Sequence, residues 1–149
     1  MSGRSFFDTN ILVYADDKDS PEKQTKAVDL FSACRHEHLA VVSTQVIQEY
    51  FVTVTRKLGV EVETARRKTE LLGRVDIVPI QFDDILGAID LQRIYGFDFW
   101  DGLIARAAIV SGSDPTFPSF TTLRVSSAMQ IDVSFMRGLQ APRMRYGRK

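Results

Sequence analysis

The chain has 149 residues, 44% of them hydrophobic and 26% charged, which suits one globular domain able to bury roughly two-thirds of its unfolded surface. Nineteen basic and nineteen acidic residues cancel, so the overall charge does not indicate a polyanionic partner, and any contact with nucleic acid must come from a local patch. The single cysteine, Cys34, excludes an internal disulfide, and no apolar run approaches the ~18 residues of a membrane span. No segment near the N-terminus resembles a signal peptide, so we expect a soluble, cytoplasmic protein with no membrane association.

Three short runs of β-branched or aromatic residues predict strands. They are SFFDT at 5–9, LAVVS at 39–43, and VDIVPI at 75–80, in which Pro79 indicates a strand end or edge. Helical patterns are expected from Pro21 toward Arg35, from Ser43 to Gly59, over 62–72, from a cap at Asp83 to near Gly96, and over about 99–111. Strands that alternate with helices indicate an α/β fold with a mostly parallel central sheet flanked by helices.

Asp8 directly follows the first predicted strand, in the stretch FFDTN. A carboxylate at the end of a buried strand is costly to desolvate unless it has a partner. In open parallel sheets ligands bind outside the carboxyl ends of the strands, so Asp8 lies at the expected mouth of a site. The alternative is a structural Asx-turn with the backbone of Asn10, and position alone leaves that alternative open.

Two further acids have positions that favour a shared site. Glu49 lies at the border of an apolar helical stripe, from which it can reach the edge of a cleft while its helix packs on the sheet. Asp101 lies in the first turn of its helix, with the small residues Ala105 and Ala108 on its own face, so its side chain should point inward. Each has a structural alternative, a solvated border acid for Glu49 and a favourable helix-dipole position for Asp101.

A metal ion is the partner that would let these acids meet. Without a cation, carboxylates ~4 Å apart would repel each other by about 4 kcal/mol per pair at an effective dielectric near ~20. Carboxylate oxygens suit Mg²⁺ or Mn²⁺, whereas a zinc site would want Cys or His ligands. His36 and His38 have no cysteine pair beside them, and we expect both at the surface.

The three acids stand in motifs that resemble those of PIN-domain ribonucleases, particularly the VapC-type toxins of prokaryotic toxin–antitoxin pairs. The motifs are FFDTNILVY around Asp8, STQVIQEYFVTVTRK around Glu49 and YGFDFWDGLIARAAIVSG around Asp101, and the match covers residues 4 to about 112. The resemblance implies a three-layer α/β/α fold and a metal-dependent endoribonuclease in which Asp8, Glu49 and Asp101 bind Mg²⁺ or Mn²⁺. Asp98 could add a ligand or orient a water, although a helix N-cap is at least as good an interpretation.

The same resemblance implies partners and products. The substrate would be RNA, and tRNA, rRNA and messenger RNA are all used within the family. The bound metal would activate water, so no protein nucleophile is needed, and the products would carry a 5′-phosphate and a 3′-hydroxyl. A homodimer is expected, together with a small antitoxin protein whose C-terminal segment covers the acidic cleft.

The C-terminal part departs from the family pattern, which usually supplies a fourth carboxylate from a Ser/Thr–x–Asp motif on a returning strand. In TLRVSSAMQ, Ser126 aligns with the family hydroxyl and Ala128 falls where the acid would stand. Asp132 and Asp114 are candidate replacements, but spacing alone supports neither. The departure predicts that one divalent ion binds well and a second one poorly, with weak, Mn²⁺-preferring activity.

We interpret residues 1–136 as the PIN domain and residues 137–149 as a basic C-terminal tail, which either follows a phosphate backbone or is a solvated, disordered terminus. The basic stretch at 56–58 is interpreted as a solvated helix face. An aspartyl-phosphate phosphatase would need a second Asp two residues after Asp8, where this chain has Asn10. The remaining alternative is a PIN scaffold that has lost activity with its fourth acid and binds protein or RNA.

Overall fold

The computed structural model describes residues 4–112, 124–125 and 129–130. Several expectations for the C-terminal part lie outside the described residues, namely those for Asp114, Ser126, Ala128, Asp132 and the tail at 137–149. The domain boundary after residue 136 therefore stays a prediction.

Two helices follow each of the first three strands. The strands are β1 (Ser5–Phe6), β2 (Ala40–Ser43), β3 (Asp76–Val78), β4 (Arg124–Val125) and β5 (Met129–Gln130). The helices are α1 (Thr9–Tyr14), α2 (Pro21–His36), α3 (Thr44–Arg56), α4 (Val62–Leu72), α5 (Phe82–Tyr95) and α6 (Phe99–Val110). Within the described ranges, no helix has the length and apolar character needed to cross a membrane.

The first three strands form a parallel sheet in the order β1-β2-β3, so β2 is central. Phe6 lies opposite Val41, and Val42 lies opposite Ile77. Parallel neighbours need a crossover connection, and here a pair of helices supplies each one. β4 and β5 form a separate antiparallel pair. The predicted α/β fold with a parallel central sheet flanked by helices is confirmed, and it agrees with a three-layer α/β/α arrangement.

The strands are shorter than the sequence patterns predicted. The first strand ends at Phe6 because Asp8 takes the N-cap position of α1, a short helix that the sequence patterns did not predict. The third strand ends at Val78, directly before Pro79. Proline has no backbone N–H and cannot donate a hydrogen bond to the neighbouring strand. The early turn into α1 places Asp8 beyond the sheet, between a strand and a helix.

The start of α5 differs from the prediction. The helix begins at Phe82, with Gln81 as its N-cap. The backbone amide of Gln81 donates to Asp84 Oδ2 at 2.9 Å as part of a capping box. The prediction that Asp83 caps this helix is wrong, because Asp83 lies exposed in the first turn. At the other end the expected stop is confirmed, since Gly96 has a φ of 73°, in the left-handed region that favours glycine.

The hydrophobic core surrounds β2 and fixes the two elements that carry Asp8 and Glu49. Phe7, directly before Asp8, is fully buried and packs edge-to-face on Phe31, with ring centroids 5.0 Å apart. α3 packs on β2 and contributes buried side chains at helical spacing, and each such side chain stabilises the fold by roughly 1.5–3 kcal/mol. These buried residues of α3 are Val46, Tyr50 and Val54.

Candidate active site

A cleft of about 490 Å³ lies where the carboxyl ends of β1 and β2 meet α3 and α6. Asp8, Glu49 and Asp101 all line it. They come from three separate elements, the N-cap of α1, the middle of α3 and the first turn of α6. Parallel strands explain part of this arrangement, because their carboxyl ends share one edge of the sheet. The structure thus brings together the three acids that the sequence predicted as one site.

Asp8 is a partly buried carboxylate with a raised pKa. Burial is the main cause, and the negative charge of Glu49 adds to it. The neighbouring backbone amides of Thr9 and Asn10 lower the pKa in part, and the Asn10 side chain donates to Asp8 Oδ2 at 3.3 Å. Although Asp8 is the N-cap of α1, its side chain makes no capping hydrogen bond. The backbone amides of Thr9 and Asn10 thus act on the carboxylate as the Asx-turn alternative expects, yet burial outweighs them and the pKa stays raised.

Glu49 is held in place by two neutral donors. Thr9 Oγ1 donates to Glu49 Oε2 at 2.7 Å, and Gln45 Nε2 donates to Glu49 Oε1 at 2.8 Å. Both donors belong to buried residues, Thr9 being 8% exposed and Gln45 4%. A carboxylate has about four lone-pair directions, so each oxygen can still accept from a ligand or bind a cation. Glu49 is thus oriented by neutral groups, and no arginine or lysine in the described part of the chain forms an ion pair with it.

Asp101 lies in the first turn of α6 and lines the cleft together with Asp8 and Glu49. Its pKa is raised to about 6, mainly by burial and in smaller part by the negative charges of Asp98, Asp8 and Glu49, in that order of importance. Among the described residues, no Lys or Arg forms an ion pair with Asp8, Glu49 or Asp101.

Asp98, the fourth predicted ligand, caps α6. Its Oδ1 accepts a hydrogen bond from the Trp100 amide at 2.9 Å, which confirms the N-cap interpretation. The side chain is exposed and is not among those that line the cleft. Its charge still acts on Asp101 through space, and its role as a metal ligand stays a prediction.

The cleft also has lining residues that the sequence patterns did not single out. Along α3 and its C-cap, the residues Gln45, Glu49, Thr53 and Lys57 recur at intervals of four and form one ridge of the helix. Lys57 is exposed, as expected, yet it lines the cleft rather than the general surface. Trp100, in the first turn of α6, is 56% exposed at the cleft. The four-residue spacing was the available signal for Lys57, but no signal in the sequence indicated Trp100.

The donor set of the cleft fits a hard divalent cation. The three acids offer only oxygen, which suits Mg²⁺ or Mn²⁺, and His36 and His38 are both exposed at the end of α2, as expected. A cation would relieve the repulsion that raises the pKa of Asp8 and Asp101. Among the residues described, no three His, Cys, Asp or Glu side chains are arranged closely enough to hold a metal, so the acids share a cleft without forming a closed ligand set.

Comparison with known proteins agrees with this geometry. A family model described as PIN domain matches residues 5–117, about three-quarters of the chain and all three acids of the cleft. The comparison with curated proteins gives no match. PIN domains are generally nucleases and typically bind divalent metals, which suits an acidic cleft at the carboxyl ends of parallel strands. By a match of this extent, the chain belongs to the PIN domain family.

Proposed function

We propose that this PIN domain is a metal-dependent endoribonuclease that hydrolyses RNA phosphodiester bonds, with Mg²⁺ or Mn²⁺ held by Asp8, Glu49 and Asp101. The observation that carries the proposal is that these acids, from three separate elements, line one cleft. A purely structural cluster would be expected to pair its carboxylates with Lys or Arg. Here Glu49 accepts from the neutral Thr9 and Gln45, and the pKa of both aspartates is raised.

The chain's own residues hold and orient the reacting groups. Asp8 and Asp101 supply negative charge in a partly desolvated cleft, and Glu49 supplies oxygens fixed by two hydrogen bonds. When bound, the metal lowers the pKa of a water molecule and stabilises charge on the leaving oxygen. The proposed products carry a 5′-phosphate and a 3′-hydroxyl. Asp98 is kept as a candidate further ligand or water-orienting group.

The first prediction concerns catalysis. Asp8→Asn and Asp101→Asn should each reduce Mg²⁺- or Mn²⁺-dependent RNA cleavage by at least about a hundredfold, because each keeps the side-chain shape and removes a charged ligand. Cleavage of a fluorogenic RNA, with circular dichroism to check folding, measures the effect. The matched control is Asp83→Asn, an exposed aspartate at the start of α5, which should cleave like the wild type. Undiminished cleavage by either cleft variant, or cleavage in EDTA, would contradict the proposal.

We further propose that the protein acts in the cytoplasm as the toxin of a toxin–antitoxin pair, as a homodimer inhibited by a small antitoxin. The motif resemblance supports this role, and an acidic cleft would attract a basic side chain of an inhibitor. Light scattering should give the mass of a dimer, and a pull-down from the source cell should recover a small protein that inhibits cleavage. A strict monomer, or the absence of a small co-purifying protein, would count against this role.

A catalytically weakened PIN scaffold is the second candidate, because the acids do not form a closed ligand set within the described residues and Ala128 stands where the family usually has an acid. In that case the protein would bind RNA or another protein without cutting. A metal titration combined with the cleavage assay separates the candidates, since an enzyme should bind Mn²⁺ and cut, whereas a scaffold should show neither metal-dependent step.

A further inference from the structure

Trp100 forms an exposed aromatic surface inside the cleft. It is the only tryptophan of the chain, and it lines the cleft directly beside Asp101. Its backbone is fixed on both sides, because its amide donates to Asp98 Oδ1 at 2.9 Å and its carbonyl accepts from Gln45 Nε2 at 3.4 Å. The ring packs edge-to-face against Phe99, with centroids 5.2 Å apart. The indole is thus held in position while 56% of the residue stays open to a ligand.

Lys57 supplies a positive charge to the same cleft. It follows Glu49 by about two turns on one ridge of α3, so the two residues lie about 12 Å apart along the helix axis. No ion pair involves Lys57 within residues 4–112. Between the two lies Thr53, and Gln48 also lines the cleft, so neutral hydrogen-bonding groups connect the acidic end to the basic one.

We infer that Trp100 and Lys57 position the RNA substrate in the cleft, with one unpaired base stacked on Trp100 and a backbone phosphate bound by Lys57. The inference rests on the proposed function, in which the carboxylates hold a metal at the bond to be cut. An aromatic side chain can stack on a base only when that base is unpaired and turned out of a helix, so Trp100 favours single-stranded over duplex RNA. Because every base has a π-face, this contact should tolerate different sequences.

The arrangement of charges favours RNA over an acidic peptide as the occupant. The chain has no net charge, so a polyanion must be bound by local positive charge, and Lys57 supplies it at a distance from the carboxylates. The neutral side chains Gln48 and Thr53 can donate to phosphate and sugar oxygens, which is the commonest kind of protein–nucleic acid hydrogen bond.

The fluorescence of Trp100 gives a direct measurement, since no other tryptophan contributes. A short RNA strand carrying 2′-O-methyl groups, which resists cleavage, is titrated into the full-length protein with Mg²⁺ present. We expect the single strand to quench the fluorescence at saturation, and the same strand annealed to its complement to bind at least about tenfold more weakly. Equal binding of the two forms, or no quenching by either, would overturn the inference.

Variants separate the two contacts. Fluorescence polarisation of a labelled strand should show about a tenfold rise in Kd for Trp100→Ala and little change for Trp100→Phe, which keeps an aromatic ring. Lys57→Gln should weaken binding and reduce the slope of log Kd against log salt by about 0.7, the loss of one phosphate contact to a single strand, while Trp100→Ala leaves the slope unchanged. Matched controls outside the cleft are Phe82→Ala, an aromatic 70% exposed on α5, and Lys18→Gln, and neither should change Kd.

The outcomes distinguish this inference from the proposed function. Wild-type protein that binds the single strand through Trp100 and Lys57 but never cleaves RNA supports the inference and contradicts the nuclease proposal. Protein that cleaves RNA normally after Trp100→Ala and Lys57→Gln, with Kd unchanged, overturns the inference and leaves the nuclease proposal standing. Binding of an acidic peptide, competitive with RNA and stronger than it, also overturns the inference.

Discussion

Two carboxyl groups of the cleft, those of Asp8 and Asp101, have a raised pKa. Burial is the largest cause of the raised pKa of both Asp8 and Asp101, and charge repulsion from neighbouring carboxylates adds to it. A carboxyl group whose pKa is raised by folding contributes stability that is fully present below its unfolded value and is lost as the pH rises through its folded value. For Asp101 these values are 3.8 and about 6. The metal-free protein is therefore destabilised by its own site at neutral pH.

The raised pKa of Asp101 predicts how the stability of the metal-free protein changes with pH. In EDTA, Asp101→Asn and wild type should have similar urea midpoints near pH ~4, where Asp101 is protonated, and the variant should be the more stable one near pH ~7.5. Addition of Mn²⁺ near pH ~7.5 should reverse the order, because only the wild type keeps its full set of acids for the metal. A stability difference that does not change with pH in EDTA would show that Asp101 titrates normally.

The start of α5 is stabilised by a contact with another helix, which the sequence of α5 alone does not indicate. In α5, Asp84 caps the helix and also lies 3.5 Å from the Arg106 guanidinium of α6, with only 6% of the Asp84 side chain exposed. Gly87 makes room for this pair, since a Cβ there would lie 2.7 Å from Arg106 Nε. One buried carboxylate thus holds the start of α5 and joins it to the helix that carries Asp101.

We expect Asp84→Ala to lower the free energy of unfolding by about 2–3 kcal/mol, because it removes a cap and leaves the mostly buried Arg106 without its anionic partner. Asp83→Ala is the matched control at the neighbouring exposed position, and its effect should stay within about 0.5 kcal/mol. Urea unfolding followed by circular dichroism measures both. Equal losses for the two variants would restore Asp83 as the cap that the sequence pattern favoured.

The helix bounds could be predicted from the local sequence for some helices and not for others. The segment 62–72 was predicted with the bounds that α4 has, because its ends are marked by composition alone. α1 was not predicted, since residues 11–14 are apolar and partly β-branched and the six residues of the helix are too few for a helical period to be told from a strand. The two adjacent aspartates at 83 and 84 offer the same capping chemistry, and only the backbone path decides between them.

For the molecule as a whole, the order of strands and helices was enough to predict a parallel sheet, and the rule for strand ends was enough to predict that Asp8 lies at the mouth of a site. Glu49 and Asp101 were assigned to the same site from their positions on two helices and from the motif resemblance. The non-acidic walls of the cleft were not predictable in the same way. Whether Trp100 and Lys57 face the cleft depends on how α3 and α6 approach each other, and side-chain spacing within one helix does not contain that information.

The chain order of the site has a consequence for its synthesis. Asp8 and Glu49 leave the ribosome early, whereas Asp101 and the Gln45–Trp100 hydrogen bond require α6, the last helix described. Domains fold as units during translation, so a nascent chain that ends before α6 has neither the third carboxylate nor one wall of the cleft. Under the proposed ribonuclease function, unfinished and prematurely terminated chains would therefore lack the complete site for RNA cleavage.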